Sequence, residues 1–200
     1  MNRPITFLAI GVGVVLLLLI VFLGSGINTL PTQDELVKAD WSEVLNQYQR
    51  RSDLVPNLVE TVRGFAKQEE TVLTQVTEAR ARATQLTLPA DILSNPQAFQ
   101  QFEQSQTALG GALGRLLAVS EQYPDLKSNQ NFLVLQSQLE GTENRIAVAR
   151  RDYIGAVQAY NTTLRTVPGR WTAGIFYRDA KVKETFTITE QKQEAPKVKF

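Results

Sequence analysis

The chain's length, composition and charge describe a protein of ordinary globular character. It has 200 residues, of which 43 % are hydrophobic, with 21 Lys and Arg against 20 Asp and Glu. This composition predicts a buried core, and the near-neutral charge excludes the strongly basic surface through which proteins bind nucleic acid. The chain contains no Cys and no His. It therefore lacks disulfides, thiolate chemistry, the commonest general acid/base and the commonest transition-metal ligand. We predict that it is not an enzyme and binds no cofactor or metal.

The first element in chain order is an apolar segment at residues 5–23, which follows a short flank at residues 1–4. Its nineteen residues carry no charge. At about 1.5 Å per residue, a helix of this length spans the roughly 30 Å hydrocarbon core of a bilayer. The alternative is a cleaved signal peptide, whose apolar part is usually only about 7–15 residues long. We favour a single-pass transmembrane helix in contact with membrane lipid, followed by a turn-rich linker at residues 24–31.

The charges beside this segment give a slight orientation signal. Arg3 lies on the short side, and Lys38 lies on the other side among the acidic residues Asp34, Glu35 and Asp40. The positive-inside rule counts Lys and Arg, so it weakly favours a cytoplasmic N-terminus. The remainder of the chain is then on the extracytoplasmic side.

Residues 32–167 carry apolar stripes with alternating steps of three and four residues. This spacing is typical of the left-handed packing of coiled coils and helical bundles. The sequence thus predicts an all-α fold, an antiparallel up-down four-helix bundle with long helices, followed by an irregular C-terminal tail at residues 168–200. The first stripe is Val37, Trp41, Val44 and Tyr48; the second runs from Leu58 to Leu86, the third from Phe99 to Tyr123 and the fourth from Phe132 to Tyr160.

Proline residues mark the predicted junctions between these helices. Ser94 or Asn95 is a candidate N-cap before Pro96, because a cap followed by Pro at the first helical turn is a common start. Tyr123-Pro124 separates the third stripe from the fourth, and Pro168-Gly169 ends the fourth.

Pro56 allows two interpretations. It begins a new helix with Ser52 or Asp53 as the cap, which gives four helices, or it kinks one long helix, which gives three. We favour the first.

Several long motifs make the chain similar to a known family. They are RRSDLVPNLVETVRGFAKQEE at residues 50–70, EAR at residues 78–80, the segment from Leu117 to Tyr153, and Tyr160-Asn161. With them the chain resembles the LemA family over nearly its whole length. The resemblance implies a bacterial, single-pass inner-membrane protein with an antiparallel four-helix bundle. It also implies a link to membrane stress or membrane-protein quality control, and relatives in magnetosome membranes. It does not assign an activity. The family tends to have a His before the residue that corresponds to Glu69, but this chain has Gln68 there. It therefore lacks the side chain for any chemistry that this His performs in the family.

Four charged residues are candidates for polar pairing between helices: Glu69, Arg80, Glu143 and Arg150. Polar groups that lie in or beside an apolar stripe need partners, and they often fix helix register. The alternative is a ligand or ion site between helices, but the Glu-x-x-His pairs of a di-metal site are missing. We therefore favour pairing. The mid-helix glycines Gly110, Gly111 and Gly114 are interpreted as points of close approach to a neighbouring backbone, with a hinge as the alternative.

The C-terminal tail mixes aromatic and basic residues, including Trp171, Phe176, Tyr177 and Arg178. Such mixtures are typical of membrane–water interfaces, and an up-down bundle of four helices returns its tail to the anchor. Equally, the aromatic residues cap the bundle, or Val182, Phe186 and Ile188 form a short strand. Both interpretations stay open.

The sequence therefore favours a non-catalytic, membrane-anchored scaffold or interaction module, which binds an unidentified protein partner and serves cell-envelope maintenance or membrane-protein quality control. The alternative is a membrane-shaping or lipid-sensing element that acts through the tail. An enzyme that uses carboxylates alone is disfavoured. The sequence assigns no partner identity and no oligomeric state.

Overall fold

A computed structural model describes residues 11–14, 21, 26–85 and 88–186. Every regular element within these residues is helical, which confirms the predicted all-α class. The bounds are α1 Thr29–Phe65, α2 Glu70–Gln85, α3 Pro96–Ser120, α4 Pro124–Lys127, α5 Gln130–Arg165 and α6 Gly169–Phe176, with one 3-10 turn at Ile92–Ser94.

Contacts between Cα atoms divide the chain into two compact units. The first consists of Met1–Ala39 and Gly155–Lys183, and the second of Asp40–Ile154 and Glu184–Phe200. The second unit contains α2, α3 and α4 complete, together with most of α1 and α5. It is the helical bundle.

Side-chain contacts within the bundle fix the direction of α5 relative to α1. The ring of Trp41 lies 5.4 Å from the ring of Tyr153. Ten residues further along α1, Arg51 contacts Glu143, which lies ten residues earlier on α5. The two helices therefore run in opposite directions.

The other two long helices complete an up-down order. Trp41 contacts Phe99 on α3, and Tyr48 contacts Phe102, so α1 and α3 run in the same direction. Helix α2 follows α1 after the short connection at residues 66–69, and Arg80 in its second half contacts Ser52 of α1, so α2 runs antiparallel to α1. The bundle is thus built from four long helices with alternating direction.

Leucine and valine side chains fill the bundle core, as the heptad spacing predicts. Burial of such side chains contributes roughly 1.5–3 kcal/mol each, which makes packing rather than helix propensity the main source of stability. The core's largest fully buried members are Val55, Leu58, Val62, Leu73, Val76, Leu109, Leu116, Leu126 and Phe132.

Our interpretation of Pro56 is wrong. Helix α1 continues through Pro56 to Phe65, and the break comes at residues 66–69 instead. The second apolar stripe is consequently divided between the end of α1 and the whole of α2. The number of long helices is four, but it does not depend on a helix start near Ser52.

The other predicted junctions are confirmed. The side chain of Asn95 accepts a hydrogen bond of 3.2 Å from the backbone N–H of Ala98, and Pro96 occupies the first turn of α3. Helix α3 ends before Tyr123-Pro124, and α5 ends before Pro168.

The two ends of the chain differ from expectation where the structure describes them. Helix α1 begins at Thr29, inside the predicted linker, and the predicted irregular tail begins with α6. Residues 177–186 form no strand, and Ile188 lies outside the described residues. Of the predicted transmembrane segment 5–23, only residues 11–14 and 21 are described. None of the helices within the described residues has the length and apolar character to cross a membrane.

Candidate functional site

The most buried charged group within the described residues is Arg51, on the inner face of α1. Its side chain is 4 % exposed, and its guanidinium donates to Glu143 at 3.1 Å and to the backbone and side-chain oxygens of Gln106 at 3.0 and 2.7 Å. The guanidinium carbon lies 4.9 Å from the ring centre of Tyr48. This arrangement ties α1 to α3 and α5 in one polar layer of the core.

Gly110 lies beside the guanidinium of Arg51, at a distance that would admit a Cβ atom. A Cβ atom at Gly110 would lie 3.6 Å from the guanidinium, and no other group comes within 4 Å. At Gly111, Gly114 and Gly155 a Cβ atom would meet nothing within 4 Å. The expectation of close backbone approach at the mid-helix glycines is therefore wrong.

Glu143 and Arg150, both on α5, contact different partners. Glu143 pairs with Arg51, whereas Arg150 pairs with Glu103 on α3 at 3.3 Å. The guanidinium of Arg150 also lies 4.1 Å from the ring centre of Phe186, a cation–π geometry. The structure thus places both residues between helices, but does not bring them together.

Arg80 on α2 satisfies a backbone group of α1. Its Nε donates to the carbonyl oxygen of Ser52 at 2.9 Å. That carbonyl lies four residues before Pro56, which has no N–H to offer it. An unpaired buried carbonyl is costly, so Arg80 compensates for the proline and allows α1 to continue.

Glu69 lies in the connection between α1 and α2. The hydroxyl of Tyr123 donates to its carboxylate at 3.0 Å. This hydrogen bond favours the protonated phenol and raises the pKa of Tyr123. Glu69 therefore links this connection to the end of α3, and it does not contact Arg80, Glu143 or Arg150 among the contacts that the structure describes.

An aromatic cluster holds the last described residues against the bundle. Trp41 lies within 6.2 Å, between ring centres, of each of the other four rings, and Tyr153 donates to the carbonyl of Glu184 at 2.7 Å. Burial raises the pKa of Tyr153. The rings belong to Trp41, Phe99, Phe102, Tyr153 and Phe186.

A second anchoring point lies in the first unit, at Lys183. Its ammonium pairs with Asp34 at 2.8 Å, and its backbone exchanges two hydrogen bonds of 2.9 Å with the side chain of Asn161. Burial alone would raise the pKa of Asp34, but hydrogen bonds from Lys183 and Lys38 outweigh it, so the pKa lies below its usual value. The contact therefore depends on an ionised Asp34.

Helix α6 carries the predicted aromatic tail residues, and it is amphipathic. Gly169, Thr172 and Ala173 are buried, whereas Trp171, Ile175 and Phe176 are 53, 57 and 56 % exposed. Trp171 and Ile175 are four residues apart and share one side of the helix. After the helix, Tyr177 is half-buried and Arg178 is exposed.

Close contacts hold the buried side of α6. A Cβ atom at Gly169 would overlap the carbonyl oxygen of Thr163, so only glycine fits there. A Cβ atom at Gly26 would lie 3.4 Å from Pro168 and 3.7 Å from Thr172. Helix α6 is thus packed against Gly26, which lies three residues after the end of the apolar segment at residues 5–23.

Sequence reasoning missed Arg51, Gln106 as its partner, and the Lys183–Asn161 contact. Arg51 had a signal: it lies three residues after Tyr48 and four before Val55, in the heptad phase of the first stripe. Asn161 and Lys183 had none, because their contact is between side chain and backbone.

A family model described as LemA family matches residues 40–200 of the chain. Magnetosome proteins MamQ 1 and MamQ 2 of Paramagnetospirillum magneticum are each 27 % identical to it, covering 82 % of this chain and 69 % of the relative. Magnetosome protein MamQ of Magnetospirillum gryphiswaldense is 24 % identical with the same coverage.

Proposed function

Because the chain belongs to the LemA family, we propose that it is a non-catalytic helical-bundle protein of the bacterial inner membrane that acts as a scaffold for a partner protein. Residues 5–23 anchor it, and the bundle projects on the extracytoplasmic side. Its role is maintenance of the cell envelope or quality control of membrane proteins. The names of the matched relatives, which refer to a magnetosome, support a role in a cellular assembly.

The observation that carries the scaffold proposal is an open groove between α3 and α5. It has a volume of about 580 Å³, roughly four times that of a cavity that accepts benzene. Leu113, Leu117 and Leu139 form its apolar part, and Glu140 and Glu143 belong to its polar rim. The groove would then be one pocket of a larger interface, since a stable protein interface covers about 800 Å² on each partner, with apolar side chains of the partner in the groove and basic groups beside its carboxylates.

Gly114 keeps this groove open. A glycine inside a helix is destabilising by roughly 1 kcal/mol relative to alanine, and packing does not require it here, because a Cβ atom would meet nothing within 4 Å. Gly111 is equally unconstrained but does not line the groove. The two glycines therefore form a matched pair for testing.

The test compares Gly114→Leu with Gly111→Leu in the full-length protein. After chemical crosslinking in native membranes, we expect the unsubstituted protein and Gly111→Leu to recover the same protein partner, and Gly114→Leu to lose most of it. Circular dichroism checks that both variants remain helical. Equal recovery by the two variants, or no reproducible partner, contradicts the proposal.

The anchor and its orientation have a separate test, which the absence of cysteine makes simple. A Ser128→Cys variant carries one thiol at an exposed position of the bundle. We expect the protein to resist carbonate extraction and the thiol to react with a membrane-impermeant maleimide in intact spheroplasts. Labelling only after lysis would show that the bundle lies on the cytoplasmic side. Extraction of the protein into the aqueous fraction would contradict the membrane anchor.

A second candidate function is a membrane-shaping or lipid-sensing role of the tail. The outward apolar side of α6 favours it, because Trp171 is 53 % exposed although the opposite side of the helix is closely packed. This role and the scaffold role involve different surfaces and do not exclude each other.

A further inference from the structure

Helix α6 presents an exposed apolar surface that the scaffold groove does not use. Trp171, Ile175 and Phe176 are each more than half exposed, although the opposite side of the helix is fixed by Gly169 and Thr172. An apolar surface on an otherwise well-packed element indicates a binding surface.

The position of α6 brings this surface close to the predicted lipid anchor. Gly26, which contacts the buried side of α6, is three residues after Leu23, the last residue of the apolar segment. Three residues reach about 11 Å at most, even when fully extended. The headgroup region on each side of a bilayer is roughly 5–8 Å deep, so α6 lies within or directly beside it when residues 5–23 span the membrane.

The size of the surface argues for lipid rather than for a protein partner. Large apolar and aromatic side chains bury about 150–250 Å² each, so three that are half exposed offer on the order of 300 Å². A stable protein interface needs about 800 Å² on each partner. A bilayer has no such lower limit, because the anchor already holds the helix at its surface.

The charges around α6 are complementary to anionic lipid. Arg170, Arg178 and Lys181 are exposed, and none of them has an ion pair within the described part of the chain. Asp179 is the one acidic residue between positions 165 and 183. Tryptophan at headgroup depth with cations beside it is the composition that membrane interfaces favour.

We propose that α6 lies on the surface of an anionic bilayer, with Trp171 and Ile175 at headgroup depth and Arg170, Arg178 and Lys181 against lipid phosphates. This inference rests on the anchored arrangement of the proposed function, but not on the groove between α3 and α5.

The two tryptophans of the chain provide the test, because Trp41 is 6 % exposed whereas Trp171 is 53 % exposed. Full-length Trp41→Phe and Trp171→Phe variants are reconstituted in vesicles of phosphatidylcholine, with or without one third phosphatidylglycerol. Lipids brominated near the headgroup quench a tryptophan that touches them. We expect quenching of Trp171, in the Trp41→Phe protein, to exceed that of Trp41 by about threefold or more in the anionic vesicles.

The cations have their own arm of the experiment. In the Trp41→Phe protein, replacement of Arg170, Arg178 and Lys181 together by Gln is expected to lower quenching by about twofold in anionic vesicles and to leave it unchanged in neutral ones. If the substitutions lower quenching equally in both kinds of vesicle, the three cations do not contact anionic lipid, and that part of the proposal is wrong.

A second measurement covers the case in which Trp41→Phe disturbs the bundle. Unsubstituted protein labelled with 5-fluorotryptophan gives two fluorine resonances, and spin-labelled lipid is expected to broaden the one assigned to Trp171. If both resonances stay sharp and Trp171 is unquenched, the proposal is wrong. If Trp171 contacts lipid but crosslinking recovers no partner, only the scaffold proposal is contradicted. If a partner is recovered but Trp171 does not contact lipid, only the proposal for α6 is contradicted.

Discussion

The two tryptophans mark two regions of this molecule that use similar residues in opposite ways. In the bundle, Trp41 contacts four other rings and the buried Arg51 donates three hydrogen bonds to Glu143 and Gln106. In α6 and the residues after it, Trp171 and Arg178 point outward. Aromatic and cationic side chains thus determine structure in the first region and are available for binding in the second. Exposure, rather than residue type, distinguishes the two roles.

The largest expected difference is between the tryptophans themselves. Trp41→Ala should lower the free energy of unfolding by about 3–5 kcal/mol, because it leaves a cavity between the remaining rings. Trp171→Ala should change it by less than about 0.5 kcal/mol. Thermal unfolding of full-length protein in detergent, followed by circular dichroism, measures both. Similar losses for the two variants would show that Trp171 stabilises the fold as much as Trp41 does.

The cation of the core gives the next largest effect. Arg51→Met keeps the aliphatic chain but removes the donors to Gln106, and a buried acceptor without a partner costs about 1–3 kcal/mol. Because Glu143 is 45 % exposed, water replaces its lost bond at little cost. Addition of Gln106→Leu should recover most of the stability, since an apolar pair has no polar group to satisfy.

The control for this prediction is Arg63→Met. Arg63 pairs with Glu60 on the exposed surface of α1, at 2.7 Å, and its loss should change stability by less than about 0.5 kcal/mol. The same unfolding measurement applies to all of these variants. If Arg51→Met is as mild as Arg63→Met, the polar layer does not stabilise the core.

The third prediction concerns the proline inside α1. Arg80→Ala leaves the Ser52 carbonyl without its donor and should cost about 1–2 kcal/mol. In a Pro56→Ala background, the new N–H of residue 56 reaches that carbonyl, and the same substitution should then cost clearly less. A double-mutant cycle measures the coupling, and purely additive effects would contradict the role assigned to Arg80.

The same helix shows how far the sequence could be interpreted. Read from Val37 to Val62, one heptad phase runs without interruption through Tyr48, Arg51 and Val55, so both the continuity of α1 and the burial of Arg51 were visible in the pattern. We instead gave Pro56 its usual weight as a helix breaker. The proline is tolerated because of a long-range donor, Arg80, and local propensity contains no information about such contacts.

The tail could be predicted in character but not in conformation. Its aromatic and basic composition was visible, whereas α6 was not, because eight residues with glycines at positions 169 and 174 have low helix propensity. The helix is stabilised by packing around Gly169 and Gly26, which are distant in sequence. The Lys183 contact was invisible because it joins the backbone of Lys183 to the side chain of Asn161, 22 positions away.

The smallest effect is expected at Lys183, a cation of the tail region that, unlike the exposed Arg178, forms an ion pair with Asp34. Because its partner Asp34 has a lowered pKa, the pair stabilises the folded state above the usual carboxylate pKa of 3.8, and this contribution is lost as the pH falls through the lower folded-state value.

Both side chains are partly exposed, so Asp34→Asn should cost only about 0.5–1 kcal/mol near pH 7. The difference between Asp34→Asn and the unsubstituted protein should shrink as the pH falls below the lowered folded-state pKa of Asp34, because the carboxyl is then protonated in both states. Hydrogen exchange at the Lys183 amide, which donates to Asn161 at 2.9 Å, gives the local measurement. If exchange there is unaffected by Asp34→Asn at neutral pH, the charge of Lys183 does not hold the segment and its role would resemble that of Arg178.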